Sequence, residues 1–195
     1  MKKHLIVPLL TFSCTVFGFE NLPDPYLVQY GSPQAPLSVI QYFSFTCPHC
    51  VAQFRTQFQQ IKERYIDTGK IAWTFHPVPM DLLTVQGMVC LSELPERERK
   101  IFLEAILEEL SIDQPKLTVQ LMQKGMDLLG KPVTELQEKS YLSESTAFQD
   151  AFQFLKQGDE LEAVPSVEVN GKFISAQIPD IEFIEEQLSA LEGHL

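Results

Sequence analysis

The feature that most constrains this chain is the stretch of residues 39–50, which reads VIQYFSFTCPHC. Its apolar and aromatic run is typical of a buried strand and ends at two cysteines separated by two residues. After Cys50 the apolar side chains recur every three or four residues, which predicts an amphipathic helix with one buried face. These side chains are Val51, Phe54, Phe58, Ile61 and Tyr65. The cysteines are therefore expected where a strand passes into the first turn of a helix.

A second strand and a long helical block are predicted next. Residues 71–76 form another apolar run, and Gly69 gives the helix before it a natural end. Strand, helix and strand in this order predict a β-α-β unit with parallel strands and a right-handed crossover. From about residue 82 to residue 158 the pattern is helical throughout. We interpret this block as an insertion in an α/β domain, because its apolar stripes need a surface to cover them.

The last part of the chain returns to strands. Asn170-Gly171 lies between two short apolar runs in residues 164–174, which is a strong signal for a two-residue hairpin. Residues 179–191 predict a final helix. The length of 195 residues fits one domain. The predicted fold class is therefore α/β, with a mixed central sheet flanked by helices, residues 19–195 as a single domain and a helical insertion at about 82–158.

The first 18 residues are interpreted as a signal peptide. Lys2 and Lys3 give a charged start, residues 5–17 are apolar but too few to span a bilayer, and cleavage is expected after Gly18. A lipoprotein attached through Cys14 is one alternative, although the residues before it fit a lipobox poorly. A retained N-terminal helix is another. We expect an exported protein of the periplasm, where a cysteine pair can be a stable bridge or a redox centre.

The charge of the chain argues against one class of partner. The formal net charge is −11, and no basic stripe interrupts it. Nucleic acid is not expected as a partner, because phosphate binding needs clustered Lys and Arg. The acidity is interpreted as an aid to solubility, with an acidic docking surface as the alternative.

The two cysteines of the CPHC motif are predicted to differ in reactivity. Cys47 is expected at the helix start, where unpaired N–H groups and the positive end of the helix dipole stabilise a thiolate, the reactive form. Cys50 lies one turn later, within bonding reach, and is expected to be more buried. Pro48 suits an early helical position. His49 can donate a hydrogen bond or, when protonated, add positive charge near the Cys47 sulfur. A dithiol stabilised in this way makes its disulfide an oxidant.

Two other interpretations of the pair stay open. A structural bridge usually closes a long loop, and a two-residue spacing gives little of that stabilisation. A zinc site needs four ligands, so His76 and Cys90 would have to converge on the pair. Otherwise Cys90 is expected to be a buried free thiol, and His76 a capping or partly buried histidine. We expect no metal, and no cofactor beyond the cysteine pair itself.

A second element of the site is the dipeptide Val164-Pro165, which follows a polar loop and opens the hairpin. It is a candidate cis-proline beside the thiols. An ordinary trans proline at the start of a strand is the alternative.

Together these motifs resemble the DsbA-like thiol–disulfide oxidoreductases of the thioredoxin superfamily. The resemblance is carried by residues 43–50 (FSFTCPHC), by Val164-Pro165 and by residues 169–172 (VNGK). It covers almost the whole chain after the signal, including the size and place of the helical insertion. It implies a thioredoxin fold with an inserted helical domain.

The resemblance also implies an activity, which is donation of the Cys47–Cys50 disulfide to reduced or unfolded exported proteins. Cys47 is then the attacking and attacked sulfur and Cys50 the resolving thiol, while Pro165, next to Val164, is the cis-proline that orients the peptide substrate. A membrane quinone reductase of the DsbB type would reoxidise the pair. A monomer is expected, since residues 19–36 are too short for the dimerisation region that isomerases of this superfamily carry.

The sequence departs from well-known family members at two positions. Those members carry a buried Glu six residues before the first cysteine and a Lys on the neighbouring strand, where this chain has Gln41 and Thr74. We expect the neutral pair to shift the redox potential or slow proton transfer while exchange is retained. A reductase or isomerase on the same fold stays an alternative, because direction depends on potential and partner. A non-enzymatic peptide-binding or chaperone-like module is a third hypothesis.

Overall fold

The computed structural model describes residues 24–131, 145–157, 161 and 163–193 of the chain. The signal peptide predicted at residues 1–18, with Cys14, lies outside the described residues, and so does residue 158 at the end of the predicted insertion. Within the described part, no helix combines the length and the apolar character that a membrane crossing requires.

One mixed sheet of five strands forms the centre of the fold. The strands are β1 Val28–Tyr30, β2 Leu37–Phe43, β3 Ile71–Pro77, β4 Ser166–Val169 and β5 Lys172–Ile174. Their order in the sheet is β1-β3-β2-β4-β5. Strands β2 and β3 are parallel, and the other neighbouring pairs are antiparallel. The predicted β-α-β unit and the hairpin at Asn170-Gly171 are thereby confirmed.

The helices lie on both faces of this sheet. The first, α1, starts directly after Cys47 and alternates between α and π geometry over Pro48–Gln53, Phe54–Phe58, Gln59–Ile61 and Lys62–Ile66. The others are α2 Leu82–Ser92, α3 Glu96–Glu109, α4 Val119–Leu128, α5 Thr146–Gln157 and α6 Ile181–Glu192. A 3-10 turn, Asp24–Tyr26, precedes β1. Helices α2 to α5 lie between β3 and β4, where the helical block was predicted.

The side chains of the central strands alternate between two packed layers. On one face, the ring of Phe58 in α1 lies 4.9 Å from Phe75 and 5.6 Å from Trp73, centroid to centroid. On the other face, the ring of His76 lies 4.9 Å from Phe154 in α5. Helix α1 therefore packs on one face of the sheet, and α5 of the insertion packs on the other.

A buried arginine fastens the insertion to the start of the described chain. Arg99 in α3 donates from Nη1 to the carbonyl oxygens of Asp24 and Leu27. Nearby, the hydroxyl of Tyr30 donates to the carboxylate of Glu104 at 3.0 Å. These bonds tie α3 of the insertion to β1 and to the segment before it.

The register of the sheet brings the predicted site together at one edge. Phe43, the last residue of β2, is opposite Pro77 of β3, and Tyr42 is opposite Ser166, the first residue of β4. The segments that contain Cys47, the start of α2 and Pro165 therefore meet where the parallel strands end. Ligand sites of α/β sheets commonly lie beyond this end of the strands.

Candidate active site

Cys47 is the N-cap residue of α1. Its backbone is extended (φ −88°, ψ 115°), and its sulfur accepts a hydrogen bond from the backbone N–H of Cys50 at 3.3 Å. Pro48 follows as the first helical residue, where its missing N–H costs nothing. Hydrogen bonds from the Cys50 thiol and from the backbone N–H groups of Cys50 and His49 lower the pKa of Cys47 to about 7, against the effect of burial. The exposed rings of Pro48 and His49 lie between the two thiols in sequence.

Cys50 has the opposite character. It is 2% exposed, against 9% for Cys47, and burial raises its pKa far above the ordinary value. The hydrogen bond to Cys47 and the charge of that sulfur act in the same direction. The pair is thus chemically asymmetric, because Cys47 ionises readily near neutral pH and Cys50 stays a protonated thiol behind it. Both thiols are free in this structure, so the Cys47–Cys50 disulfide stays a prediction.

The Val164–Pro165 loop lies directly beside the reactive sulfur. The peptide bond between these two residues is cis, and the Cys47 thiol donates to the carbonyl oxygen of Val164 at 3.5 Å. Ser166, which follows, donates from its hydroxyl to Ala163 O at 2.7 Å and accepts from the N–H of Ala176 at 2.9 Å. The buried hydroxyl therefore ties the loop to the turn before α6, and it fixes the backbone next to Cys47.

Gln41 is fully buried on the face of the sheet that α1 covers. Its side-chain Nε2 donates to Gln53 Oε1 at 3.3 Å, and Gln53 Nε2 donates to the carbonyl oxygen of Pro179 at 3.1 Å. Gln41 Oε1 has no hydrogen-bond partner among the described residues. A chain of amides thus connects β2, α1 and the turn before α6 at the position where the resemblance leads one to expect an acid.

Thr74 does not join Gln41. In the pairing of β2 with β3, Thr74 is opposite Ile40, and Gln41 is opposite Phe75. Because side chains alternate along a strand, Thr74 and Gln41 lie on opposite faces of the sheet. The two positions grouped together as a neutral replacement of an acid–base pair are therefore separated by the sheet in this chain.

His76 and Cys90 lie apart from the thiol chemistry. The expectation that His76 is a capping or partly buried residue is wrong in degree, because its ring is fully buried 4.8 Å from that of Tyr42. Burial lowers the pKa of His76 to about 4. Cys90 is a fully buried free thiol, as predicted, and burial raises its pKa to about 12. Across the described ranges, no cluster of three or more His, Cys, Asp or Glu has metal-binding geometry.

A group of hydroxyls and a carboxylate lies next to Cys47 and was not predicted from the sequence. Thr46 Oγ1 donates to Asp81 Oδ2 at 3.0 Å, and Asp81 is the N-cap of α2, where it accepts from Thr84 N at 2.9 Å. Ser44 Oγ lies 2.9 Å from Thr46 Oγ1. An Asp three residues before a Thr at the start of an apolar helix is a recognisable cap signal. Nothing in the sequence connects that cap to Thr46.

Comparison with known proteins places this site in a family. A thioredoxin family model matches residues 24–188. The chain belongs to the thioredoxin family. Over 179 residues it is 27% identical to a Bacillus anthracis protein with the provisional name disulfide bond formation protein D, a match that covers 81% of this chain and 75% of that protein. A 43-residue stretch is 46% identical to a Rickettsia bellii protein provisionally named protein-disulfide oxidoreductase; it covers 22% of this chain and only 17% of that relative.

Solved structures of thioredoxin-family proteins share the fold. BdbD of Bacillus subtilis matches with a TM-score of 0.69 at 18% identity, covering 89% of this chain and 97% of that one. Wolbachia pipientis alpha-DsbA1 matches with 0.66 at 23% identity, covering 89% and 94%. A protein-disulfide isomerase of Novosphingobium aromaticivorans matches with 0.64 at 15% identity, covering 85% and 96%. The predicted thioredoxin fold and the predicted resemblance to DsbA-like oxidoreductases are thereby confirmed.

Proposed function

We propose that this protein is an exported thiol–disulfide oxidoreductase that donates the Cys47–Cys50 disulfide to folding proteins of the envelope or to secreted proteins. The observation that carries the proposal is the N-cap position of Cys47, where hydrogen bonds to the sulfur lower its pKa to about 7. A cysteine that is stable as a thiolate stabilises the reduced pair, and a pair that is stable when reduced is an oxidant when it forms the disulfide.

The exchange takes place in two displacements. A thiolate of the substrate attacks the Cys47 sulfur of the disulfide, the Cys47–Cys50 bond breaks, and Cys50 leaves and takes up a proton. The second substrate thiolate then attacks the substrate sulfur of the mixed disulfide and releases Cys47 as a thiolate. The substrate dithiol has lost two electrons and the cysteine pair has gained them. The low pKa of Cys47 favours the second step, in which Cys47 is the leaving group.

The loop at the cis-proline gives the substrate a place to lie. Val164 and Pro165 flank the Cys47 sulfur, and the carbonyl oxygen of Val164 is within 3.5 Å of it. An extended peptide joined to Cys47 would run past this backbone, whose position Ser166 fixes from behind. We assign the substrate-orienting role to Val164 and Pro165 on this basis.

The partners follow from this activity. Reduced, unfolded proteins in the periplasm would be the substrates, and a membrane reoxidant of the DsbB type would restore the disulfide after each cycle. The protein would act as a monomer without a cofactor beyond its cysteine pair. The family resemblance and the charged, then apolar, start of the chain support these assignments.

Equilibration of the purified protein with glutathione buffers tests the proposal. We expect a reduction potential well above the value of about −270 mV that is typical of thioredoxin, the reducing member of the superfamily. The Cys47→Ser variant should lose the ability to oxidise a reduced model protein. A potential close to that of thioredoxin would favour the reductase alternative. Full function in Cys47→Ser would favour the non-enzymatic binding module.

A further inference from the structure

The turn that leads into Cys47 is a short, internally bonded segment. The N–H of Cys47 donates to Ser44 O at 3.2 Å, and the N–H of Thr46 donates to Ser44 Oγ at 3.1 Å. This turn, residues 44–47, gives Cys47 the extended backbone that an N-cap requires. The position of the reactive sulfur therefore depends on the position of the turn.

The turn is fastened to helix α2 at two main points, besides a longer contact of 3.4 Å between the Ser44 and Thr84 hydroxyls. The buried ring of Phe45 lies against Gly87, so closely that a Cβ atom built at Gly87 would be 2.8 Å from the ring. The second point is the carboxylate of Asp81, whose Oδ2 accepts from Thr46 Oγ1 at 3.0 Å and from Thr84 Oγ1 at 2.9 Å. The turn before the thiol is thus held by the first helix of the insertion.

The direction of these hydrogen bonds follows from the chemistry of the groups. A carboxylate oxygen only accepts, so the single hydroxyl proton of Thr46 points to Asp81. In the 2.9 Å contact between Ser44 Oγ and Thr46 Oγ1, the Ser44 hydroxyl is then the donor. The hydrogen bonds are thus donated from Ser44 to Thr46 and from Thr46 to Asp81. The carboxylate of Asp81 is the final acceptor, and it holds the Thr46 side of the turn.

We propose that Asp81 is a positioning residue for Cys47, which holds the turn at residues 44–47 through Thr46 and thereby keeps the Cys47 sulfur in the N-cap position of α1. This inference deepens the proposed function, because it concerns the reactivity of the same thiol. It does not depend on the direction of exchange. Asp81 has a second task as the cap of α2, and the two tasks can be separated.

The proposal predicts the sign of the effect. The N–H of Cys50 reaches the sulfur only while Cys47 keeps its N-cap geometry, so a loosened turn weakens the stabilisation of the thiolate. Loss of Asp81 should then raise the pKa of Cys47. A purely electrostatic role predicts the reverse, because removal of a nearby negative charge favours a thiolate. The two explanations therefore give opposite shifts.

The experiment measures how fast iodoacetamide alkylates the reduced full-length protein across pH, with the labelled peptide identified by mass. For Asp81→Ala, alkylation of Cys47 at pH 6 should be about three- to tenfold slower, the effect of weakening one hydrogen bond to the sulfur. Thr46→Val, which leaves the cap of α2 in place, should give a similar loss. The double variant should lose little more, since both changes break one interaction. Asp81→Asn keeps one accepting oxygen where the carboxylate has two, and these two serve Thr84 N and Thr46 Oγ1 separately, so its alkylation rate should fall between those of Asp81→Ala and wild type.

The matched control is Asp180, the N-cap of α6. It accepts from the N–H of Phe183 at 2.9 Å and has no contact with the turn. Asp180→Ala should lower the thermal midpoint about as much as Asp81→Ala does, because both lose a helix cap, but it should leave Cys47 alkylation unchanged. Equal alkylation rates for the two alanine variants, or a faster rate for Asp81→Ala, would overturn the proposal. If Asp81→Ala does not fold, Thr46→Val is the test. An unchanged rate of Cys47 alkylation in Thr46→Val would also overturn the proposal. Equilibration with glutathione measures the reduction potential, whereas alkylation measures how readily Cys47 ionises. The proposed direction of exchange can therefore be wrong while the role of Asp81 is confirmed.

Discussion

The thiol of Cys47 donates to the carbonyl oxygen of Val164 at 3.5 Å, although the two residues are 117 positions apart in the chain. The same sulfur accepts the N–H of Cys50 at 3.3 Å. One atom therefore contacts both the start of a helix and the loop at the cis-proline. Any group joined to this sulfur lies within reach of the loop backbone, which Ser166 holds in place.

The stability of the reduced protein should rise between pH 7 and pH 9. The pKa of Cys47 is about 7 in the folded chain and about 9 ordinarily, so the unfolded chain binds more protons in this window and folding gains from each rise in pH. The contribution is fully present above pH 9 and is lost as pH falls through 7. Two pKa units correspond to a gain of the order of 2 kcal/mol. Denaturant titrations of the reduced protein at pH 7 and pH 9 measure it.

The control is Cys47→Ser, which should remove this part of the pH dependence. Burial raises the pKa values of Cys50 and Cys90, so these thiols lower the stability of the folded chain only at pH values above the ordinary pKa of a thiol. The pKa of His76 is lowered, so His76 lowers the stability only at pH values below the ordinary pKa of histidine. An equal slope in wild type and Cys47→Ser would contradict the assignment of the thiolate to Cys47.

Gln41→Glu should change the pH profile of exchange, whereas Thr74→Lys should not. An acid at position 41 would lie on the same side of the sheet as α1, whose Gln53 follows Cys50 by one turn. It could supply the proton that Cys50 takes up when it leaves the disulfide. Thr74 lies on the opposite face of the sheet. Stopped-flow exchange with a dithiol peptide from pH 5 to pH 8 gives the profile. Identical profiles for Gln41→Glu and wild type would rule out a proton-transfer role for this position.

Ser166→Ala should weaken peptide binding more than it affects the thiol. The substitution removes the hydroxyl that bridges Ala163 O and Ala176 N, so the loop at Pro165 loses its support from behind. We expect a several-fold higher KM for a peptide substrate and a similar kcat. The loss of the two part-buried hydrogen bonds should lower the stability by about 1–3 kcal/mol. Steady-state oxidation of a fluorescent dithiol peptide separates KM from kcat.

Ser189→Ala is a suitable comparison for Ser166→Ala, since that hydroxyl donates to Glu185 O on the exposed surface of α6. It should leave KM and stability at the wild-type level. A rise in KM that Ser189→Ala reproduces, or a Ser166→Ala variant with unchanged KM, would show that the loop does not need this support.

Arg99→Met should destabilise the fold without changing the chemistry of the thiols. The buried guanidinium donates to Asp24 O and Leu27 O, and its loss removes both bonds, although Asp24 O keeps the N–H of Leu27, at a cost of about 1–3 kcal/mol. Arg55→Met is the comparison, because Arg55 donates to a single carbonyl, that of Leu110, from an exposed position. Urea unfolding should show the larger loss for Arg99. Cys47 alkylation in native conditions should be equal in both.

Much of the site follows from local sequence patterns. The apolar run before CPHC predicts the strand, the spacing after it predicts the helix, and the position of Cys47 between them is the N-cap that the structure shows. Asn170 and Gly171 likewise mark the hairpin, and both have positive φ. These features depend on neighbours in sequence, which is why pattern and propensity suffice for them.

The features that the sequence did not reveal depend on contacts between distant segments. Whether Gln41 faces Thr74 or Phe75 depends on strand register, and a shift of one residue exchanges the faces of the sheet. His76 resembles a strand-end residue in sequence, yet a helix from the insertion covers it. Asp81 is readable as a cap, while its bond to Thr46 exists only because α2 begins beside the turn.

The N-cap position of Cys47 also affects the reactivity of the chain before it folds. Its sulfur owes its reactivity to groups that come together only in the finished fold, among them the turn at residues 44–47 and the first turn of α1. In a newly made, unfolded chain the same thiol is ordinary and stays protonated at neutral pH. The ionisation of Cys47 at neutral pH therefore reports that the chain has folded, and Cys47 gains its high reactivity only when folding is complete.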